Sequence, residues 1–446
     1  MIRSVSAHER VLERGEDRDN AWEVCRRIAD DVARLAHEEG ATYGPAEDAA
    51  EPDGNLCGGW AGMTLFLEAA AKAFGSANYA AAGDAARAKA IAAVARQGMS
   101  IGLFTGVTGV AWGVHLATVR RRAGAVNAAD PESDPCVEID AFLLRCMRDD
   151  VGWVPFDVMG GASGIALYAA DRVTTTGSQM LVDACLDRLE SSGDRLAEGM
   201  AWRVPLTPES PAYLRETFRD GMYPLGAAHG VASVVGALAQ VVRRIPDHPK
   251  ARNILGDAVD FLLRCRLPDR DRWTFPRLAN SHARWPNHGE MSWCWGDPGI
   301  AGCLMTVGSA CGDRNLIQIA VDMMRGLSAL VPVESSNTDA CLCHGWAGVG
   351  HIFSRFYMAT GEPAFAEAAR RWFRMAISEA RHDEHIGRMR FFTTTQQLTG
   401  RWQEHPGLLN GAVGVGLALL TALGVEAPSE WDRILGIAFW PSGAAA

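Results

Sequence analysis

Residues 345–356 read GWAGVGHIFSRF: two glycines three apart, then an apolar run of helical length that is almost free of charge. The same arrangement returns at Gly59 (GWAGMTLFLEAA), Gly106 (GVTGVAWGVHLA), Gly161 (GASGIALYAA) and Gly411 (GAVGVGLALLTAL). Two variants bring the units to seven: HGVASVVGALAQVV around Gly230, with Ser233 in place of the second glycine, and CWGDPGIAGCLM around Gly296. The successive intervals of 47, 55, 69, 66, 49 and 66 residues are too irregular for a solenoid consensus, but they suit a helical pair with a variable loop.

Charged, amphipathic helical segments alternate with these glycine-led runs. Examples are AWEVCRRIADDVARLAHEE, VEIDAFLLRCMRD, ARNILGDAVDFLLRC and PAFAEAARRWFRMAISEA. A helix that is apolar all round must be covered on every side, whereas an amphipathic one keeps a wet face. The expected fold is therefore all-α: an α/α toroid (barrel) of seven inner and seven outer helices. Although 446 residues would suggest about three domains at roughly 150 each, the repeat predicts a single domain over 1–446. Loop insertions near 195–225, 268–292 and 381–406 interrupt it. They are rich in Trp, Phe, Arg, His and Pro, and long loops on a rigid scaffold are usual places for substrate contact.

Composition narrows the function. Hydrophobic residues make up 48% and charged residues 22%, as in ordinary globular proteins, and the formal net charge of -10 leaves no footprint for nucleic acid or anionic lipid. Charge-free stretches such as Gln97–Val119, Met222–Val242 and His405–Val425 approach the length of a membrane span, but Thr, Ser, His, Gln and Gly dilute them. They read as buried helices, with no membrane span. The first residues, MIRSVSAHERVLERGEDRDN, carry charges where a signal peptide needs its apolar stretch, so a cytoplasmic location is expected. Eleven cysteines without an export signal argue for reduced thiols. Of these, Cys57, Cys303 and Cys341 read as buried core thiols.

Two repeats carry metal ligands in type just before their glycines: Cys294 in SWCWGDPG, and Cys343 with His344 in LCHGWAG. Aligning C-W-G-D-P-G with C-H-G-W-A-G puts the two thiols at equivalent positions of successive repeats, which are neighbours in a ring. Two Cys and one His suit zinc and leave its fourth tetrahedral position open, as catalytic sites do. The fourth repeat carries His229 (GAAHGVAS), and the third carries Asp157 shortly upstream of its glycines (PFDVMGG). Both are expected at the same end of the barrel as the metal. A histidine there can give or accept a proton near neutral pH, and a carboxylate can orient it.

Taken together, GAAHG around His229, WCWGDPG around Cys294, CHGWAG around Cys343 and His344, LLNGAVGVGLALL near the C-terminus and the sevenfold glycine repeat resemble the lanthionine synthetase C (LanC) family of cyclases and LanC-like proteins. The resemblance implies a stand-alone zinc-dependent cyclase. Such an enzyme adds cysteine thiols of a dehydrated precursor peptide to dehydroalanine or dehydrobutyrine, forming (methyl)lanthionine thioether rings. It implies Zn2+ held by Cys294, Cys343 and His344, with His229 as the preferred acid for the enolate and Asp157 as its helper or as an alternative proton carrier, and a separate dehydratase as partner. One departure stands out. Family members often carry an arginine shortly before the first zinc cysteine, whereas this chain reads NHGEMSWC, leaving Arg284, His282 or His288 as substitutes. No separate small β-rich extension is evident either. The alternatives are a LanC-like enzyme adding glutathione or another small thiol to dehydrated residues, and a non-catalytic peptide-binding scaffold. A zinc-dependent prenyltransferase is disfavoured because no Asp-rich diphosphate motif is present.

Overall fold

A computed structural model describes residues 10–40, 53–96, 98–124, 134–149, 154–173, 176–197, 199–208, 210, 212–218, 221–268, 273–280, 289–332, 339–394, 400–425 and 431–440. Seven glycine-led helices form the inner ring. They are α2 (Trp60–Phe74), α4 (Val107–Gly124), α6 (Ala162–Asp171), α9 (Val231–Arg244), α11 (Asp297–Cys311), α13 (Trp346–Thr360) and α15 (Ala412–Ala422). Each packs on the next, and α15 returns to α2, so the ring closes. The outer ring is α3 (Ala77–Arg96), α5 (Val137–Arg148), α7 (Thr176–Ser192), α10 (Pro249–Arg264), α12 (Arg314–Leu327), α14 (Pro363–Ser378) and, against α15, the N-terminal α1 (Glu16–His37). The expected toroid of seven inner and seven outer helices is the fold.

The helices occupy the layers their sequences dictate. Every residue of α15 is buried, whereas α14 buries Phe365, Ala366, Ala368, Ala369, Trp372, Phe373 and Ala376 along one stripe. Helices α2, α11 and α13 each stop on a left-handed glycine, Gly75, Gly312 and Gly361, and the chain turns directly into the outer partner.

The paired glycines fold the approach to each inner helix tightly. At Gly348 a Cβ would lie 1.9 Å from the carbonyl oxygen of Leu342, six residues earlier, and at Gly345 it would lie 2.3 Å from the Cys341 backbone nitrogen. Only glycine lets the backbone cross itself that closely. The turns made this way are tied to one another by main-chain bonds two residues before each first glycine. Cys57 N–H donates to Phe104 O, Phe104 N–H to Met159 O, Ala228 N–H to Cys294 O, Cys294 N–H to Cys343 O, Cys343 N–H to Leu409 O and Leu409 N–H to Cys57 O, at 2.9–3.3 Å. A girdle of equivalent backbone positions thus runs round the barrel mouth.

Two features lay outside the sequence reading. The three long connections carry the short helix α8 (Ala212–Thr217) and small antiparallel ribbons: β1 (Asp194–Leu196) with β2 (Gly199–Ala201), β3 (Tyr223–Pro224) with β4 (Leu278–Ala279), and β5 (Phe391–Thr394) with β6 (Gly400–Gln403). The middle ribbon joins the first insertion to the second. The segment 431–440 then enters the ring of inner helices. Asp432 meets His351 Nε2 and Arg355 Nε at 2.9 Å each, Trp293 Nε1 donates to Leu435 O, and Gln240 donates to Arg433 O. The lumen is filled, and what stays open lies at the mouth.

Candidate active site

The girdle places side chains by register. Two residues before the first glycine stand Cys57, Phe104, Met159, Ala228, Cys294, Cys343 and Leu409; one residue before stand Gly58, Thr105, Gly160, His229, Trp295, His344 and Asn410. A mouth cavity of about 550 Å³ is lined by many of them, including Cys57, Met159, His229, Cys294, Trp295, Cys343, His344 and Asn410, with Glu290, Met291 and Ser292 from the preceding loop.

Cys294, Cys343 and His344 converge there, their ligand atoms all within 4.8 Å of one another. Two thiols and an imidazole at this spacing fit a zinc ion bound at about 2.3 Å to sulfur and about 2.0 Å to nitrogen. The three groups are tightly coupled electrostatically. Hydrogen bonding from Cys343, with help from His344, pulls Cys294 down to about 5 despite its burial, so it is a thiolate near neutral pH. Cys343 keeps its own proton: the hydrogen bond to Cys294, then burial, hold it well above the usual thiol range. His344 is pushed up to about 12, first by charge at Cys341, then by hydrogen bonds to Cys294 and Cys341. Burial holds Cys341 itself at about 11.

Cys341 and Asp339 also approach His344. The Asp339 oxygens already accept the backbone N–H groups of Cys341 and Phe392 at 2.9 Å, so this carboxylate braces the loop behind the histidine. Cys341 is buried, as expected, but it touches His344. Cys57 departs from the core reading: the girdle carries it to the cavity wall.

His229 lies on the same cavity, and its Nδ1 is 2.8 Å from Asp157 Oδ2. The other carboxylate oxygen of Asp157 accepts the Gly160 N–H at 2.9 Å, which fixes the carboxylate against its own turn. With Nδ1–H donated to Asp157, the second ring nitrogen is left to exchange protons. The His229 side chain is 45% exposed and Asp157 13%.

Arg284, His282 and His288 lie outside the described residues. The cation the structure puts beside Glu290 is Arg277, immediately before β4. Its Nη1 is 3.4 Å from Glu290 Oε2, and its guanidinium lies 5.5 Å from the Trp295 ring centroid. Trp295 in turn lies 5.9 Å from the His229 ring. Glu290 Oε1 accepts from Ser292 Oγ, which is 3.8 Å from Cys294 Sγ. Sequence reasoning missed Arg277, Trp295, Asn410 and Cys57. Counting back from every glycine, not only from those preceded by Cys or His, finds the last three. Nothing in the linear sequence flags Arg277.

The sequence matches the family described as lanthionine synthetase C-like protein over residues 51–435. The chain belongs to this family. Among solved structures, nisin cyclase matches with a TM-score of 0.66 at 16% identity, covering 92% of this chain and 97% of the other, which shows a shared fold. A GH76 alpha-mannanase, BT2949 of Bacteroides thetaiotaomicron, matches with a TM-score of 0.49 at 10% identity over 91% of this chain and 95% of that one. An unsaturated glucuronyl hydrolase from Streptococcus agalactiae gives 0.45 at 10% identity over 95% and 96%. The sequence matches none of the curated proteins. No described helix of this LanC-like chain is long and apolar enough to cross a membrane.

Proposed function

We propose that this chain is a stand-alone zinc-dependent lanthipeptide cyclase, acting on a dehydrated precursor peptide that a separate dehydratase supplies. The observation that carries the reading is the convergence of Cys294, Cys343 and His344 on one wall of the mouth cavity that His229, braced by Asp157, also lines. Membership of the LanC-like family supports it. Free thiols throughout the chain suit the reducing cytoplasm.

The reaction adds a cysteine S–H across the C=C of dehydroalanine or dehydrobutyrine, so sulfur bonds to Cβ and hydrogen to Cα. Zinc held by Cys294, Cys343 and His344 would supply an open coordination position at which a substrate thiol sheds its proton. His229 is the group suited to carry a proton to Cα: it lines the cavity, and an imidazole can both give and accept a proton. Asp157 holds its Nδ1–H and steadies the imidazolium form. Trp295, Met159, Met291 and Leu409 provide apolar walls around the unsaturated residue. Arg277, between the cavity residues Glu290 and Trp295, is among the described residues a cation suited to meet the charge that develops on the substrate amide oxygen.

The test is to incubate zinc-loaded protein with a dehydrated, cysteine-containing peptide, with and without glutathione, and to count free thiols by alkylation and mass spectrometry. Loss of the peptide's own thiol without mass change is expected. A glutathione adduct instead would make this a small-thiol transferase, and no reaction would leave a scaffold.

A further inference from the structure

Asn410 holds the same register in the seventh repeat that His229 and His344 hold in the fourth and sixth, and it lines the same cavity. Its carboxamide oxygen is buried and has no hydrogen-bond partner within the protein. An asparagine just ahead of a helix usually serves its N-terminus, accepting a first-turn N–H. That work is done here by main chain: Ala412 N–H donates to His405 O and Val413 N–H to Pro406 O, and α15 has no side-chain cap.

The backbone beside Asn410 is pinned as well. Leu409 N–H donates to Cys57 O, and Leu409 O accepts from both Leu342 and Cys343 N–H. The carboxamide therefore projects from a rigid turn bonded directly to the turn that carries Cys343 and His344. A fixed, desolvated acceptor that the fold does not use is costly to keep, and such groups concentrate where a ligand completes them.

We infer that Asn410 is a substrate-positioning residue whose Oδ1 accepts a backbone N–H of the peptide next to the reacting cysteine. The chemistry selects a donor, because the unpartnered atom is an acceptor. It selects a peptide over a simple thiol, because a simple thiol has no amide to offer. This rests on the peptide-cyclase reading and adds to it the group that registers the chain on the cavity wall, so that the thiol arrives beside Cys294, Cys343 and His344.

The test is binding, not turnover. Zinc-loaded wild type, Asn410→Ala and Asn410→Leu are titrated with 2-mercaptoethanol and with a short, acetylated and amidated peptide that has one cysteine and no dehydrated residue. The peptide is also used with the N–H groups flanking its cysteine methylated one at a time. Both variants should keep zinc and 2-mercaptoethanol affinity and bind the peptide about tenfold more weakly, the effect of one hydrogen bond. One methylated peptide should lose the same factor on wild type and nothing further on Asn410→Ala. That second arm needs no variant to fold.

Equal peptide affinity in wild type and both variants, or insensitivity of wild type to every methylation, overturns the assignment and leaves the cyclase reading standing. Equal loss of peptide and 2-mercaptoethanol affinity makes the role purely structural and also overturns it. A wild type that binds 2-mercaptoethanol but no peptide overturns the peptide reading, and this assignment with it.

Discussion

His229 and His344 stand one residue before the first glycine of their repeats, yet their surroundings give them different work. His344 is pressed among Cys294, Cys343 and Cys341, where the proposed centre takes it as a ligand. His229 is partly exposed and paired with a carboxylate, as a proton carrier needs. Replacing His229 by Ala should leave zinc content unchanged and slow cyclisation by about 10²–10⁴-fold, the usual range for a positioned acid or base. Normal ring formation by that variant, followed by mass spectrometry, would remove the assignment. Both histidines, Cys294 and Cys343 were readable in the sequence as candidates because their chemistry is rare in an otherwise apolar repeat. Arg277 was not, because its place depends on the pairing of Tyr223 with Ala279, which no local pattern encodes.

At the scale of elements, the inner helices announce themselves through glycine spacing and lack of charge, and their order round the ring follows from chain order. The ribbons do not. Strands of two to four residues carry too little periodicity to distinguish from loop, and the middle one pairs segments from different insertions. The turn before α15 adds a pH-dependent element. His405 packs against Gly58 and Gly407 and takes the Gly407 N–H on Nδ1, and burial lowers its pKa to about 4. The unfolded chain takes up a proton near 6.5 and the folded chain does not. This group therefore contributes stability above about 6.5 that is lost as pH falls towards 4. The shift corresponds to roughly 3 kcal/mol. Denaturant midpoints of wild type and His405→Gln should diverge in pH slope across that window. Parallel slopes would show that the ring is protonated in the native state.

The molecule as a whole closes twice. Helix α1 packs against α15, the last inner helix, and the segment 431–440 fills the lumen on a buried cluster of Asp432, His351 and Arg355. The alternation of charged and apolar helices made the toroid readable, but the plug was not, since a short tail with no repeat signature gives no hint of what it contacts. Asp432→Ala removes the carboxylate that meets Arg355 and His351 inside the barrel and should cost about 3–5 kcal/mol, measurable by urea unfolding. A cost near zero would mean that the tail is dispensable.

The proposed chemistry depends most directly on the metal. Zinc bound per chain, measured on protein purified under reducing, chelator-free conditions, should be close to one for wild type, and absent or sharply weakened in Cys294→Ala, Cys343→Ala and His344→Ala. A folded wild type that takes up no zinc, or variants that hold it as well as wild type does, would contradict the proposed centre and leave a LanC-like toroid without this chemistry.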